Sequence, residues 1–360
     1  YLRYKEDVNW WLRSPGKYAY KAAYVNDEGR VYGYGNDVND KCSGVRPALY
    51  LNLSSDMYSY AGTVCSDGTV NEQKKEETDN IASPLQKSGE FKFETSLDNI
   101  VNTSGEDNKT AKYTYDYDEN WFFTPSTTYQ HELTKMSIRA AMAGYGVMDA
   151  PHSVDTNIKY LMAGNDKNSL EFTNYESSYP DPKTNTIGYA IGSKNIKNSA
   201  GETCSLLMVT VRGGGYMDEW GGNFDLGTKD EHQGFNEAAL QVRDGIKKYV
   251  EKYKDKLPYE LKVWISGYSR GAATTNLVAK MLDDGAIEGL TRDNIYAFCF
   301  ECPQNTTKTQ SYVESDKYKN IVSIVNSVDL VPKVAMSGFG FKRYGTVYQL
   351  PNIRALADYG

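Results

Sequence analysis

The chain has 360 residues, 40% hydrophobic and 24% charged, a globular composition sized for two domains or one large domain with an appendage. A net charge of -7 argues against a nucleic-acid partner, whose phosphates bind clustered Lys and Arg, and no apolar run reaches the ~18 residues of a transmembrane helix. Five cysteines are too few and too scattered for a disulfide framework, and only His131, His152 and His232 are present as imidazole bases.

Residues 1–53 are rich in aromatics and glycine. Trp10, Trp11, Tyr18, Tyr20, Tyr24, Val31 and Tyr32 flank a turn at Asn26-Asp27-Glu28-Gly29, which predicts short β-strands and hairpins, with a further strand over 44–51. The segment resembles an uncharacterised bacterial domain family marked by W-W-L-R-S-P-G and G-V-R-P-A, here residues 10–16 and 44–48. The resemblance covers that family's C-terminal part. It implies a lectin-like accessory unit that binds a surface ligand, and with it an extracellular or cell-surface location. Residues 54–115 are polar and mixed in charge, and read as a linker or arm.

From residue 116 the pattern alternates between helix and strand. Leu133 to Ala143 predicts a helix, and 187–191 and 204–211 predict strands, the second a continuous apolar run suited to a buried sheet. Phe235, Ala239, Val242, Ile246, Val250 and Tyr253 mark one face of an amphipathic helix. Strands at 261–265, 295–300 and 321–325 and a helix at 270–282 complete an α/β pattern with a mostly parallel central sheet, whose ligands sit at the carboxyl ends of the strands. Cys299 and Cys302 form a C-x-x-C, but in a buried strand running into a loop, whereas redox pairs open a helix. No metal or cofactor motif is present: Asp116-x-Asp118-x-Asn120 places Trp121 and Phe122 where a calcium loop needs glycine and ligands.

One strand end carries Gly267-Tyr268-Ser269-Arg270-Gly271. A G-x-S-x-G between a strand and a helix is the nucleophile-elbow pattern: Ser269 occupies a strained turn, and Gly267 and Gly271 stand where sheet and helix leave no room for side chains. The oxyanion of an acyl-transfer intermediate needs backbone donors, one the amide of Arg270 and the other from the glycine loop 213–215, where Gly214 is the candidate.

The stretch 120–350 resembles the class 3 (fungal-type) lipases of the α/β-hydrolases, and among them the bacterial branch. The family's F-R-G-T matches Val211-Arg212-Gly213-Gly214, its following tryptophan and H-x-G-F match Trp220 and His232-Gln233-Gly234-Phe235, and its G-H-S-L-G matches Gly267 to Gly271. Its F-G-x-P-like turn matches the end of Phe298-Cys299-Phe300-Glu301-Cys302-Pro303, and its N-x-x-D-x-V-P matches Asn326 to Pro332, with Asp329 at the triad aspartate. The resemblance implies an acyl-enzyme mechanism on a lipid or small ester, with Ser269 as nucleophile, Asp329 as acid, and Trp220 and His232 near the site. Gly214 departs from the family's Thr or Ser, and Tyr268 and Arg270 replace His and Leu beside the acyl pocket. A polar lid over 216–230 favours a small or polar ester over bulk triglyceride.

No histidine follows Asp329, where this triad order places the base. His232 sits at the family's H-x-G-F step, the place of a structural residue. Two readings stay open. In one, residues 116–360 are a hydrolase domain whose histidine lies beyond Gly360, in a chain incomplete at both ends; in the other, the hydrolase fold is a catalytically degenerate surface or binding protein. A thioesterase or peptidase would use the same geometry.

Overall fold

The computed structural model describes residues 9–26, 30–39, 43–44, 63–64, 70–71, 88–96, 110–144, 155–165, 167–180, 183–214, 219, 221–334 and 337–351. These fall into two compact units, Tyr1–Thr78 and Asp79–Gly360. In the first, β1 (Asn9–Pro15), β2 (Lys21–Val25), β3 (Val31–Asp37) and β4 (Ser43–Gly44) form a sheet of order β3-β2-β1-β4, and β5 (Thr63–Val64) pairs with β6 (Val70–Asn71). Tyr24 faces Tyr32 across the β2–β3 ladder and the rings stack at 5.3 Å, the cross-strand pairing that steadies a small sheet. Tyr18, Tyr20 and Tyr34 are exposed.

The second unit begins inside the stretch expected to be a linker. β7 (Ser88–Ser96) and β8 (Thr110–Asp118) pair antiparallel along their whole length, from Ser88 opposite Asp118 to Ser96 opposite Thr110. The polar composition concealed a period-two alternation: Tyr115 and Tyr117 are buried, and Phe91 stacks on Tyr115 at 5.6 Å.

The core of this unit is a seven-stranded sheet of order β15-β14-β13-β12-β11-β10-β9. Its strands are β9 (Thr173–Ser178), β10 (Tyr189–Lys197), β11 (Thr203–Val211), β12 (Leu261–Tyr268), β13 (Ile295–Phe300), β14 (Ile321–Asn326) and β15 (Thr346–Leu350). β11 to β15 run parallel, while β9 and β10 are an antiparallel extension. Side-chain alternation sorts the core into two layers. Leu207, Val209, Val211, Val263, Ile265, Ala297 and Cys299 face one side, against α3 (Gln233–Lys252) and α4 (Arg270–Asp283). Leu206, Met208, Trp264, Tyr296, Phe298 and Phe300 face the other, against α1 (His131–Ala143), α2 (Thr156–Ala163) and the β7–β8 hairpin. With both faces covered, these strands read as unbroken apolar runs. On α3 the buried positions include Phe235, Ala239, Val242 and Ile246 as the spacing predicts, but the next is Tyr249, while Tyr253 ends the helix. No helix among the described residues is long and apolar enough to cross a membrane.

Candidate active site at the carboxyl edge of the sheet

The parallel register aligns four strand ends. Val211 stands opposite Gly267, Gly267 opposite Cys299, and Phe300 opposite Ile324. The segments leaving this edge are Arg212 to Gly214, Ser269, Glu301 and Asn326 to Asp329, so residues more than a hundred positions apart meet along one line, where open parallel sheets bind ligands.

Ser269 joins β12 to α4 with φ 56° and ψ -124°. A side chain at positive φ costs about 1–3 kcal/mol. The neighbouring structure holds it there: Ser269 N–H donates to Phe300 O at 2.9 Å, and its carbonyl accepts from Ala272 and Ala273 N–H at 2.9 and 3.2 Å. The flanking glycines are required by space. A Cβ on Gly271 would lie 2.5 Å from the carbonyl oxygens of Val211 and Arg212, and one on Gly267 would strike Gly271 O and Thr275 Oγ1.

Ser269 opens into a cleft lined by Gly214, Asn223, Phe224, Phe235, Arg270, Pro303, Val331 and Val334. Gly214 and Arg270 therefore flank the serine, and the Arg270 amide, in the first turn of α4, has no intrahelical acceptor. A Cβ on Gly214 would rest 3.6 Å from Arg270 Cβ and Cδ, so glycine is not demanded there by crowding.

The charge that Arg270 brings is bound within the wall of the cleft. Its guanidinium is buried, donating to Asn223 Oδ1 at 3.0 Å and to the carbonyls of Thr184 and Thr186 at 3.2 and 3.4 Å. Burial lowers its pKa to about 10, with Glu219 opposing and Arg212 adding to the shift. Arg212 and Glu219 form an ion pair almost fully removed from solvent, on the segment joining the oxyanion loop to the lid. Of the stretch 216–230 expected to form a lid, residues 216–218 and Trp220 lie outside the described residues. Phe224 is exposed at the cleft mouth.

Asp329 sits on the turn after β14. Its N–H donates to Asn326 O at 3.2 Å, and its Oδ1 accepts from Val331 N–H at 2.9 Å. His232 is fully buried with its ring stacked on Phe235 at 4.1 Å, and Nε2 lies 3.2 Å from Asn223 O. It is thus behind the cleft wall and bonded to the lid turn. Burial lowers its pKa to about 4, so the ring is neutral at pH 7. His131, at the start of α1, is exposed and lies 3.3 Å from Tyr129 Oη; His152 is outside the described residues. Among the described residues no group of His, Cys, Asp and Glu could hold a metal ion. Cys299 and Cys302 are buried, and Cys302 Sγ donates to Pro303 O at 3.3 Å. Of the cleft's apolar lining, Phe235, Pro303 and Val331 fall within the H-x-G-F, F-G-x-P-like and N-x-x-D-x-V-P matches, while nothing in the sequence marks Val334.

Residues 211–339 match the class 3 lipase family. Residues 1–53 match a domain of unknown function (DUF6273). No curated protein matches the chain. Similar solved structures include the Rhizomucor miehei triacylglyceride lipase, 18% identical over 60% of this chain and 77% of that one with a TM-score of 0.42. Lipase II from Rhizopus niveus is 17% identical over 60% of this chain and 79% of that one, also at 0.42. The second unit has a lipase-like α/β-hydrolase fold, with a seven-stranded, mostly parallel sheet and the elbow between β12 and α4.

Proposed function

We propose that the second unit hydrolyses carboxylic esters through an acyl-enzyme at Ser269. The observation that carries this reading is the backbone of Ser269, held at φ 56° on the strand-to-helix turn at the edge of an apolar cleft. Strain of this kind persists where the surroundings over-determine it, and here it presents the hydroxyl. Ser269 Oγ attacks the ester carbonyl, the amides of Gly214 and Arg270 receive the oxyanion, and Asp329 orients a histidine that takes the serine proton. The C–O bond to the alcohol then breaks, the alcohol leaves with that proton, and water releases the acid. A cleft whose apolar wall is Phe235, Pro303, Val331 and Val334 suits a short acyl chain.

Fluorophosphonate labelling together with hydrolysis of short-chain p-nitrophenyl esters tests the reading. Labelling at Ser269, abolished in Ser269→Ala, is expected. Because no histidine follows Asp329 in this sequence, turnover is measured with and without added imidazole, Ser269→Ala serving as the blank. Absence of both labelling and Ser269-dependent turnover, with imidazole present, would return the fold to a binding scaffold.

A further inference from the structure

The short turn Gly221–Asn223 is fastened to the body of the fold at several points. A Cβ on Gly222 would strike the carbonyl oxygen of Thr184, and one on Gly234, in the first turn of α3, would strike that of Gly222, so the backbones touch. The residues that follow are tied down as well: Gln233 N–H donates to Leu226 O at 3.2 Å and Gly234 N–H to Asp225 O at 3.0 Å. Asn223 itself is gripped twice. Its main-chain oxygen lies 3.2 Å from His232 Nε2, and its Oδ1 accepts from Arg270 Nη1 at 3.0 Å. Phe235 lies between the two holders, with the His232 ring stacked on it at 4.1 Å and the Arg270 guanidinium 5.8 Å from its centre.

The chemistry of the holders fixes which way the amide points. A guanidinium only donates, so the Asn223 atom that meets it is the oxygen and the NH2 is the end left over. Among the described residues that NH2 has no acceptor. Asn223 lines the cleft together with Ser269, Arg270 and Phe235, so a held hydrogen-bond donor stands in a lining whose apolar part is Phe235, Pro303, Val331 and Val334. Covering such a donor with hydrocarbon costs its hydration, whereas an oxygen replaces the water it loses. We propose that Asn223 is a specificity-determining residue: its NH2, oriented by Arg270, donates to an oxygen in the acyl or alcohol part of the substrate. The cleft then takes esters that carry an ether, hydroxyl or keto oxygen near the scissile bond in preference to their all-carbon analogues. That the bound molecule is an ester rests on the hydrolase reading; the donor and its preference for an oxygen do not.

The test reads binding, which needs no turnover. Three hydrolysis-resistant amides that differ by one oxygen in place of one methylene are titrated into the whole chain, with dissociation constants taken from NMR shifts: the N-butyl amides of butanoic and methoxyacetic acids and the N-methoxyethyl amide of butanoic acid. The same series is run on Asn223→Asp, which keeps an oxygen for Arg270 and removes the donor. A cleft that merely excludes water binds the all-carbon amide best, because an ether oxygen must be desolvated. With the donor in place, one of the two ether amides is expected to bind about 2- to 10-fold more tightly than the all-carbon amide, and the order should reverse in Asn223→Asp. Tightest binding of the all-carbon amide to the unsubstituted chain, an ether preference kept in Asn223→Asp, or no binding of any of the three overturns the proposal. Hydrolysis of the matching esters is measured alongside. Ser269-dependent turnover without ether-selective binding sinks the proposal and leaves the hydrolase reading standing; ether-selective binding without turnover does the reverse.

Discussion

The backbone N–H of Ser269 donates to the carbonyl of Phe300 at 2.9 Å, tying the tip of β12 to the tip of β13. The bond holds the serine at φ 56° and places Glu301, itself at φ 49°, directly beside the elbow. Two residues with left-handed backbones thus stand side by side at the ends of neighbouring strands.

Strain at Ser269 implies that stability is sacrificed there. Ser269→Gly removes the positive-φ penalty and is expected to raise unfolding free energy by about 1 kcal/mol, net of the greater chain entropy of glycine. Ser269→Ala, which keeps its Cβ, should leave stability nearly unchanged. Urea unfolding of the three proteins checks this, and equal midpoints would show that the turn is unstrained.

Gly271 of the elbow and Gly214 of the glycine loop should behave oppositely. Gly271→Ala forces a methyl to 2.5 Å from the carbonyls of Val211 and Arg212, and overpacking against backbone is expected to cost about 3 kcal/mol. Gly214→Ser, with its Cβ at 3.6 Å from the Arg270 side chain, should fold normally. Its hydroxyl adds a donor beside the oxyanion, so ester turnover should rise by roughly tenfold, a fraction of what a full oxyanion donor supplies. Thermal melts and kcat on the same ester series decide both.

Arg212, Glu219 and Arg270 place two buried guanidinium groups around one carboxylate. Glu219→Gln leaves both cations without that counter-charge and is expected to destabilise the unit by about 3–5 kcal/mol. Denaturant unfolding measures it; a loss below 1 kcal/mol would mean that water or another acceptor already solvates the arginines.

His232 gives the fold a pH dependence. Burial lowers its folded pKa to about 4 from 6.5, so the unfolded chain binds the extra proton across this window. The stability associated with neutral His232 is fully present above pH 6.5 and is lost as pH falls through about 4. The slope summed over the window is on the order of 3 kcal/mol. Replacement by Gln, which keeps a donor toward Asn223 O, should flatten that part of the stability curve. An unchanged slope would place the titration elsewhere.

Much of this architecture was legible in the chain. The elbow is local: a strand, a serine between two glycines, and a helix opening with Ala272 and Ala273 follow one another within a dozen residues, so their meaning survives without tertiary context. The apolar runs of β11, β12 and β13 declared a sheet buried on both faces for the same reason. The β7–β8 hairpin was hidden because its tyrosines and threonines read as polar until Tyr115 and Tyr117 are seen pointing into the core. Arg270 looked like a charge loose beside the pocket. Only packing shows its partners, Thr184, Thr186 and Asn223, at separations of 47 to 86 residues.

The meeting of Glu301 with Asn326, whose N–H its Oε1 and Oε2 accept at 3.1 and 3.0 Å, is the clearest case of what tertiary structure alone decides. The sequence marks Asn326 to Pro332 by the N-x-x-D-x-V-P pattern, yet nothing in it says that Glu301 reaches that segment. That meeting follows from the parallel register of β13 and β14, which sets Phe300 opposite Ile324 and so brings Glu301 to the Asn326 amide. Residue types and short-range spacing determined the strand–serine–helix turn and the layers of the fold; register, a sum of many weak contacts across the sheet, decided which distant groups meet at its carboxyl edge.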